Sequence, residues 1–152
     1  MGLAYHNHEH ELETCVEVEG EQVPVLAALL ALTERTNVGS QLDIFWAQYG
    51  GMDPLRFMFD WEGSFQTIHM KDGYLEVSRE QHAQGAQLFE VLGQGDMKDR
   101  LPDIVTAAYL DRGVKYLLVE QDEDHQDPPV QSAIRSLRKL DELIKNAHIV
   151  QP

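Results

Sequence analysis

Four short apolar runs pace the chain, and each is followed by a polar turn and then by a stretch of helical spacing. The first run, Gly2 to Tyr5, gives way to the polar cluster His6, Asn7 and His8. Beyond it, the Leu- and Ala-rich stretch Val23 to Thr33 is long enough for a helix, with Pro24 suited to its first turn. The second run, Val38 to Trp46, stops at Gly50-Gly51, after which Asp53-Pro54 has the form of a helix cap with proline at the first helical position. The third, Phe65 to Met70, precedes the long polar segment Lys71 to Gln87. A turn at Gly93-Gln94-Gly95-Asp96 then leads into a helix that reaches Asp111, with Pro102 in its first turn and Gly113 ending it. The fourth run, Val114 to Glu120, is the clearest strand. Asp127-Pro128 repeats the cap-plus-proline signal, and Val130 to Ala147 sets Ile134, Leu137, Leu140 and Ile144 at helical spacing.

Near-continuous apolar runs suit parallel strands covered on both faces. Four strand–helix units in series predict an α/β fold with a parallel sheet. In such sheets the reactive groups collect where strands end and loops begin. All four runs meet that expectation. The first closes in Tyr5-His6-Asn7-His8, with Glu9, His10 and Glu11 just beyond; Asp43 interrupts the second; the third ends in His69-Met70-Lys71-Asp72; and the fourth ends in Glu120-Gln121-Asp122. Charged groups at the tips of buried strands are costly unless paired or coordinated, and one shared cation would compensate several together. Oxygen and imidazole donors without thiolate suit Mn²⁺, Co²⁺, Mg²⁺, Fe²⁺ or Zn²⁺. Such a site polarises a carbonyl while flanking carboxylates move a proton at the adjacent carbon, which is the chemistry of sugar isomerisation, epimerisation and some dehydrations.

Composition narrows the field. The 152 residues suffice for one core, a single unit over 1–152, and the net charge of -14 argues against a nucleic-acid partner. No apolar run approaches a membrane span, the N-terminus lacks the basic and apolar parts of a signal peptide, and the single Cys15 excludes an internal disulfide framework and has no neighbour that marks a nucleophile. The expectation is a soluble, cytoplasmic protein.

The segments also resemble a known family. YHNHEHE is similar to the YHNH-x-x-E segment of one branch of the xylose-isomerase-like sugar-phosphate isomerase/epimerase barrels. QLDIFWAQYGGMDP, IHMKD, LGQGD and LLVEQDE resemble that branch's further segments and occur in the same order. The resemblance implies a partial (β/α)8 TIM barrel whose four parallel βα units correspond to strands five to eight. It further implies a divalent-metal-dependent enzyme acting on a sugar or sugar phosphate, incomplete as this chain. The implied metal ligands are Glu11, Asp43, His69 and Glu120, with His8 or His6 as substitutes for Glu11. Glu120 doubles as a proton-transfer base, Lys71 and Glu11 join the catalytic set, and His8, Trp46 and His6 contact substrate. Missing strands imply either self-association or a separate N-terminal half-barrel partner.

Plainer readings stand beside these. His6, His8 and His10 also fit a solvated acidic loop, Asp43 a turn, His69 a hydrogen-bonded core histidine, Glu120 the charge run EQDED, and Trp46 and Tyr116 packing. Gln94 and Asp96 read as turn and cap residues. Three other functions compete: a non-catalytic half-barrel that assembles with itself or a partner, an inosose-type dehydratase, and a cupin-like metal protein suggested by His6-x-His8. The cupin reading conflicts with the helix content, and an endonuclease IV-like reading lacks both the extra ligands and the basic face.

Overall fold

The computed structural model describes residues 3–34, 36–111, 113–122 and 128–147. A parallel four-stranded sheet forms its centre, built from β1 (Leu3–His6), β4 (Val38–Asp43), β5 (Phe65–Met70) and β8 (Tyr116–Val119) in that spatial order. The fold is therefore that of a partial TIM barrel with four parallel units. Two small antiparallel pairs decorate it: β2 (Cys15–Val18) with β3 (Glu21–Pro24), and β6 (Asp72–Gly73) with β7 (Phe89–Glu90). The helices are α1 (His10–Glu13), α2 (Val25–Thr33), α3 (Ile44–Tyr49), α4 (Pro54–Asp60), α5 (Arg79–Ala83), α6 (Leu101–Leu110) and α7 (Pro129–Asn146). Among the described residues no helix is long and apolar enough to cross a membrane.

Alternation along the strands divides the two faces of the sheet. Leu42, Ile68 and Met70 point outward and are fully buried beneath Leu26 and Leu30 of α2, Phe57 and Met58 of α4, Leu101, Ile104 and Val105 of α6, and Leu140 and Leu143 of α7. The residues between them, Gln41, Asp43, Thr67, His69, Tyr116 and Leu118, share the opposite, inner face, because Gln41 pairs with Thr67, Asp43 with His69, and His69 with Leu118. That face is the uncovered one: Tyr116 is 65% and Leu118 40% exposed.

Three elements differ from the sequence reading. The segment before α2, to which the sequence reading gave no element, is a hairpin, and α2 starts at Val25 rather than Val23. Its turn carries Glu19 at φ 53° and Gly20 at φ 89°, the left-handed pair that a tight hairpin turn demands. The second run is divided, strand to Asp43 and helix from Ile44, so Trp46 stands on α3 and not on a strand. Within the long polar segment, Asp72-Gly73 and the helix α5 provide structure. The Asp53-Pro54 cap forms as expected, with Asp53 accepting from the amides of Leu55 and Arg56. The corresponding Asp127 lies outside the described residues.

Two buried carboxylates fix the loops at the C-terminal end of the sheet. Asp72, 1% exposed, accepts from the amides of Gly73, Gly93, Gly95 and Met97, drawing the turn after β7 against the strand end. Burial nevertheless pushes its carboxyl above the ordinary value, outweighing those four donors. Glu11 does the same for the loop after β1: it accepts from the Tyr5 hydroxyl at 2.5 Å and the His8 amide at 2.8 Å, with His10 Nε2 at 2.7 Å. The bond to Glu11, with burial, pushes the Tyr5 hydroxyl up to about 12. Burial works to raise the Glu11 carboxyl, but the Tyr5 and His8 donors outweigh it and hold the group below 4.5.

A lowered folded-state value means that ionised Glu11 stabilises the protein above its unfolded-state value and that this contribution is lost as pH falls through the folded one. Denaturant unfolding should therefore show stability falling as pH drops below 4.5. Glu11→Gln should cost on the order of 1–3 kcal/mol at neutral pH and flatten that acid limb. An unchanged acid limb in the variant would place the titration elsewhere.

Candidate metal centre

The strand ends converge on four donors. Nε2 or Nδ1 of His6 and His69 and carboxylate oxygens of Asp43 and Glu120 all lie within 4.8 Å of one another. Each comes from a different strand of the sheet, within one residue of its C-terminal end. Register explains the meeting: His6 is opposite Gln41, two residues before Asp43; Asp43 is opposite His69; and Glu120 lies two residues beyond Leu118, the partner of His69. All four side chains therefore leave the sheet on its inner face.

Asp43 is fully buried and has two tasks. Its Oδ1 accepts from the Trp46 amide at 2.9 Å and caps α3, which leaves Oδ2 for the site, 3.4 Å from His6 Nε2 and 3.8 Å from Lys71 Nζ. Asn7, also fully buried, holds the Asp43 backbone from both sides, its Oδ1 accepting from the amide at 3.0 Å and its Nδ2 donating to the carbonyl at 3.4 Å. His69 Nδ1 and Glu120 Oε2 contact one another as an ion pair. Burial pushes the His69 imidazole below 6.5, against the pull of Glu120, so the neutral, ligating form is favoured.

Lys71 supplies the cation of this cluster. Its ammonium, 1% exposed, pairs with Asp122 and lies 3.5 Å from Glu120 Oε1. It also lies over two rings, 4.5 Å from the centroid of Phe89 and 5.0 Å from that of Trp46. Burial works to raise Asp122, but the bond from Lys71 outweighs it and holds the carboxyl down. Asp43, Glu120 and Asp122 thus bring three carboxylates against one ammonium and two imidazoles of which His69 favours the neutral state. A divalent cation fits that surplus and the mixed oxygen and imidazole donor set.

The other expected residues are distributed as follows. Glu11 is not in the donor group; its carboxylate is committed to Tyr5, His8 and His10, and His6 takes the place on β1. The reason is parity, since His6 ends the strand on its inner face whereas Glu11 lies on α1 beyond it. His8 is exposed and borders the cluster, its ring 5.0 Å from His6 and 5.4 Å from Trp46. Trp46 is buried at the wall of the site. Cys15 is exposed on β2. The sequence alone assigns no site role to Asn7, Phe89 or Asp122. Asn7 carries a signal, a polar residue between two site histidines, whereas the other two depend on long-range contacts with Lys71.

No protein-family model and no curated protein matches the chain. Solved structures do. A sugar phosphate isomerase/epimerase from Parabacteroides distasonis superposes with a TM-score of 0.74 at 22% identity, covering 97% of this chain and 46% of its own. A second sugar phosphate isomerase/epimerase from that organism gives 0.66 at 20% identity, covering 90% and 44%. A xylose isomerase domain protein from Planctomyces limnophilus gives 0.66 at 16% identity, covering 96% and 46%. The chain therefore spans less than half the length of the solved chains it matches, and at these identities the likeness is one of fold: four units of a TIM barrel of the kind found in sugar phosphate isomerase/epimerases and xylose isomerase domain proteins.

Proposed function

We propose that this chain carries the metal-binding part of a divalent-metal-dependent sugar or sugar-phosphate isomerase/epimerase. The observation that carries the reading is the meeting of His6, Asp43, His69 and Glu120, one from each of four parallel strands. The fold likeness to sugar phosphate isomerase/epimerases supports it. A bound Mn, Co, Fe, Zn or Mg ion would supply Lewis-acid polarisation of the substrate carbonyl, and two imidazoles among four donors favour the transition metals over Mg.

The remaining roles fall to the protein. Glu120 has one oxygen toward the donors and the other toward Lys71, so it is the base that takes the proton from the carbon beside the carbonyl. Protonation of the opposite face by a second acid would invert the carbon; return of the proton from Glu120 to the neighbouring carbon would exchange aldose and ketose. Expulsion of a β-hydroxyl instead would give the inosose-type dehydration. Lys71, held by Asp122, sets a fixed positive charge where negative charge develops on the substrate oxygens. Trp46 and His8 form an aromatic border suited to a sugar face. Glu11 positions the His6–His8 loop.

Calorimetric titration with Mn²⁺ or Co²⁺ should give one tight site in the full chain. Asp43→Ala and His69→Ala should each weaken it by about a hundredfold or more. His6→Ala should weaken it more than Glu11→Gln. Unaltered affinity in Asp43→Ala would remove this site from consideration.

A second reading concerns how the barrel is completed. β1 and β8 each pair on one side only among the described strands, and the inner face between them leaves Tyr116 and Leu118 open. Unpaired edges and uncovered apolar surface favour association, with a second copy or with a separate chain that carries the other strands. Light scattering during size-exclusion chromatography should show a dimer whose fraction rises with concentration, and Leu118→Lys should shift it toward monomer. A compact monomer at every concentration would count against pairing with itself.

A further inference from the structure

In a chain with 26 acidic and 12 basic residues, three of the cations line a single groove away from the metal donors. Arg135, Arg138 and Lys139 of α7 face the turn Val91–Gln94 across a space of about 410 Å³; among the described residues Glu142 is the carboxylate on its wall, paired with Lys139 Nζ at 3.3 Å. Among its described lining residues, three cations to one carboxylate reverse the balance of the chain as a whole.

Its walls are fixed. Val91 and Leu92 are buried, and the Leu92 amide donates to Ser136 Oγ on α7 at 3.1 Å. Gly93 has φ 83°, and a side chain there would meet the methylenes of Lys139 at 2.8–2.9 Å, so the lysine stem lies directly on the glycine. The amides of Gly93 and Gly95 are tied to buried Asp72 at 2.9 and 3.0 Å. A charged helix face in open solvent has no such opposing wall. Arginine forks beside a lysine, in a space large enough for a small group, match a tetrahedral dianion. The surrounding negative field repels extended polyanions, which selects against nucleic acid.

We propose that this groove binds the phosphate group of a small metabolite, as free phosphate or as a phosphate ester. Neighbours of the metal-centre residues reach its walls: Asp72, which follows Lys71, holds the Gly93 amide, and Gln121, which follows Glu120, has its Oε1 3.3 Å from Ser136 Oγ. The proposal does not depend on the isomerase/epimerase reading.

The test is titration of the full chain with inorganic phosphate by ³¹P NMR, together with thermal unfolding in phosphate and in chloride at equal ionic strength. Phosphate should raise the unfolding midpoint above the chloride control. The double variant Arg138→Gln/Lys139→Met should bind phosphate roughly tenfold more weakly or worse while keeping its Mn²⁺ affinity. Lys139→Met alone, which retains the stem on Gly93, should give an intermediate loss and serves if the double variant does not fold. Displacement of bound phosphate by a sugar phosphate but not by the free sugar would identify an ester as the ligand. Equal midpoints in phosphate and chloride would overturn the proposal. So would a folded double variant with wild-type phosphate affinity, since the anion would then sit at the histidines of the metal centre.

Discussion

The buried carboxylate of Asp43 is the constraint on which the rest of the site depends. An ionised aspartate with no exposed surface is tolerable only if its oxygens are compensated, and in this site the compensation is divided. One oxygen ends β4 and starts α3 by accepting from the Trp46 amide, so the chain turns sharply out of the sheet at that residue. The other oxygen faces His6 and Lys71. Asn7 closes the arrangement by taking both backbone groups of Asp43, which ties the end of β1 to the end of β4. The same interactions that terminate two strands thereby aim their side chains at one point.

Charge then propagates outward from that point. Lys71 lies two residues beyond His69 on the same face, so its ammonium reaches the carboxylates of Asp43, Glu120 and Asp122 together. Its burial against Trp46 and Phe89 fixes its position and removes the water that would screen it. Lys71 and a bound cation are not rivals in this layout. Lys71 sits between Glu120 and Asp122, while His69 and the other Glu120 oxygen contact each other within the four-donor group. Asp72, one residue on, faces away and spends its charge on the turn that holds Gly93 and Gly95.

Much of this is readable from the residues because parallel sheets collect polar groups at one end of apolar runs. Asp43, His69 and Glu120 each interrupt or end such a run, and the structure brings all three together. His6 and Glu11 are not separable in that way. The motif likeness favours Glu11, and only the pairing of β1 with β4 reveals that His6 has the inner-face parity. The hairpin before α2 is present as a period-two pattern, Val16-Glu17-Val18 and then Gln22-Val23 around Glu19-Gly20, but the Leu- and Ala-rich stretch that follows draws the expected helix start forward by two residues. Trp46 reads as part of a strand because the apolar run continues past Asp43. The cap that divides the run is an aspartate hydrogen bond, which composition does not record. Asp122 is part of the polar end of the fourth run, but its pairing with Lys71 is long-range, and Phe89 depends on a contact to Lys71 that no local pattern encodes.

One donor per strand has a consequence for the fold as well as for chemistry. The inner face of the sheet lacks the apolar filling that a closed barrel has, and its polar end brings together carboxylates whose mutual repulsion opposes the parallel pairing of β1, β4, β5 and β8. A cation held by His6, Asp43, His69 and Glu120 would cross-link all four strands at that end and cancel the repulsion in one step. Ion affinity and sheet stability are then two readings of one free energy, because the unfolded chain has no comparable site. The outer face, with Leu42, Ile68 and Met70 sealed under the helices, supplies the hydrophobic half of the stability without the metal. The inner face is therefore where binding of ion, substrate or further strands can shift the balance, and among the described residues it is the side of the sheet on which this sequence has placed groups that need a partner.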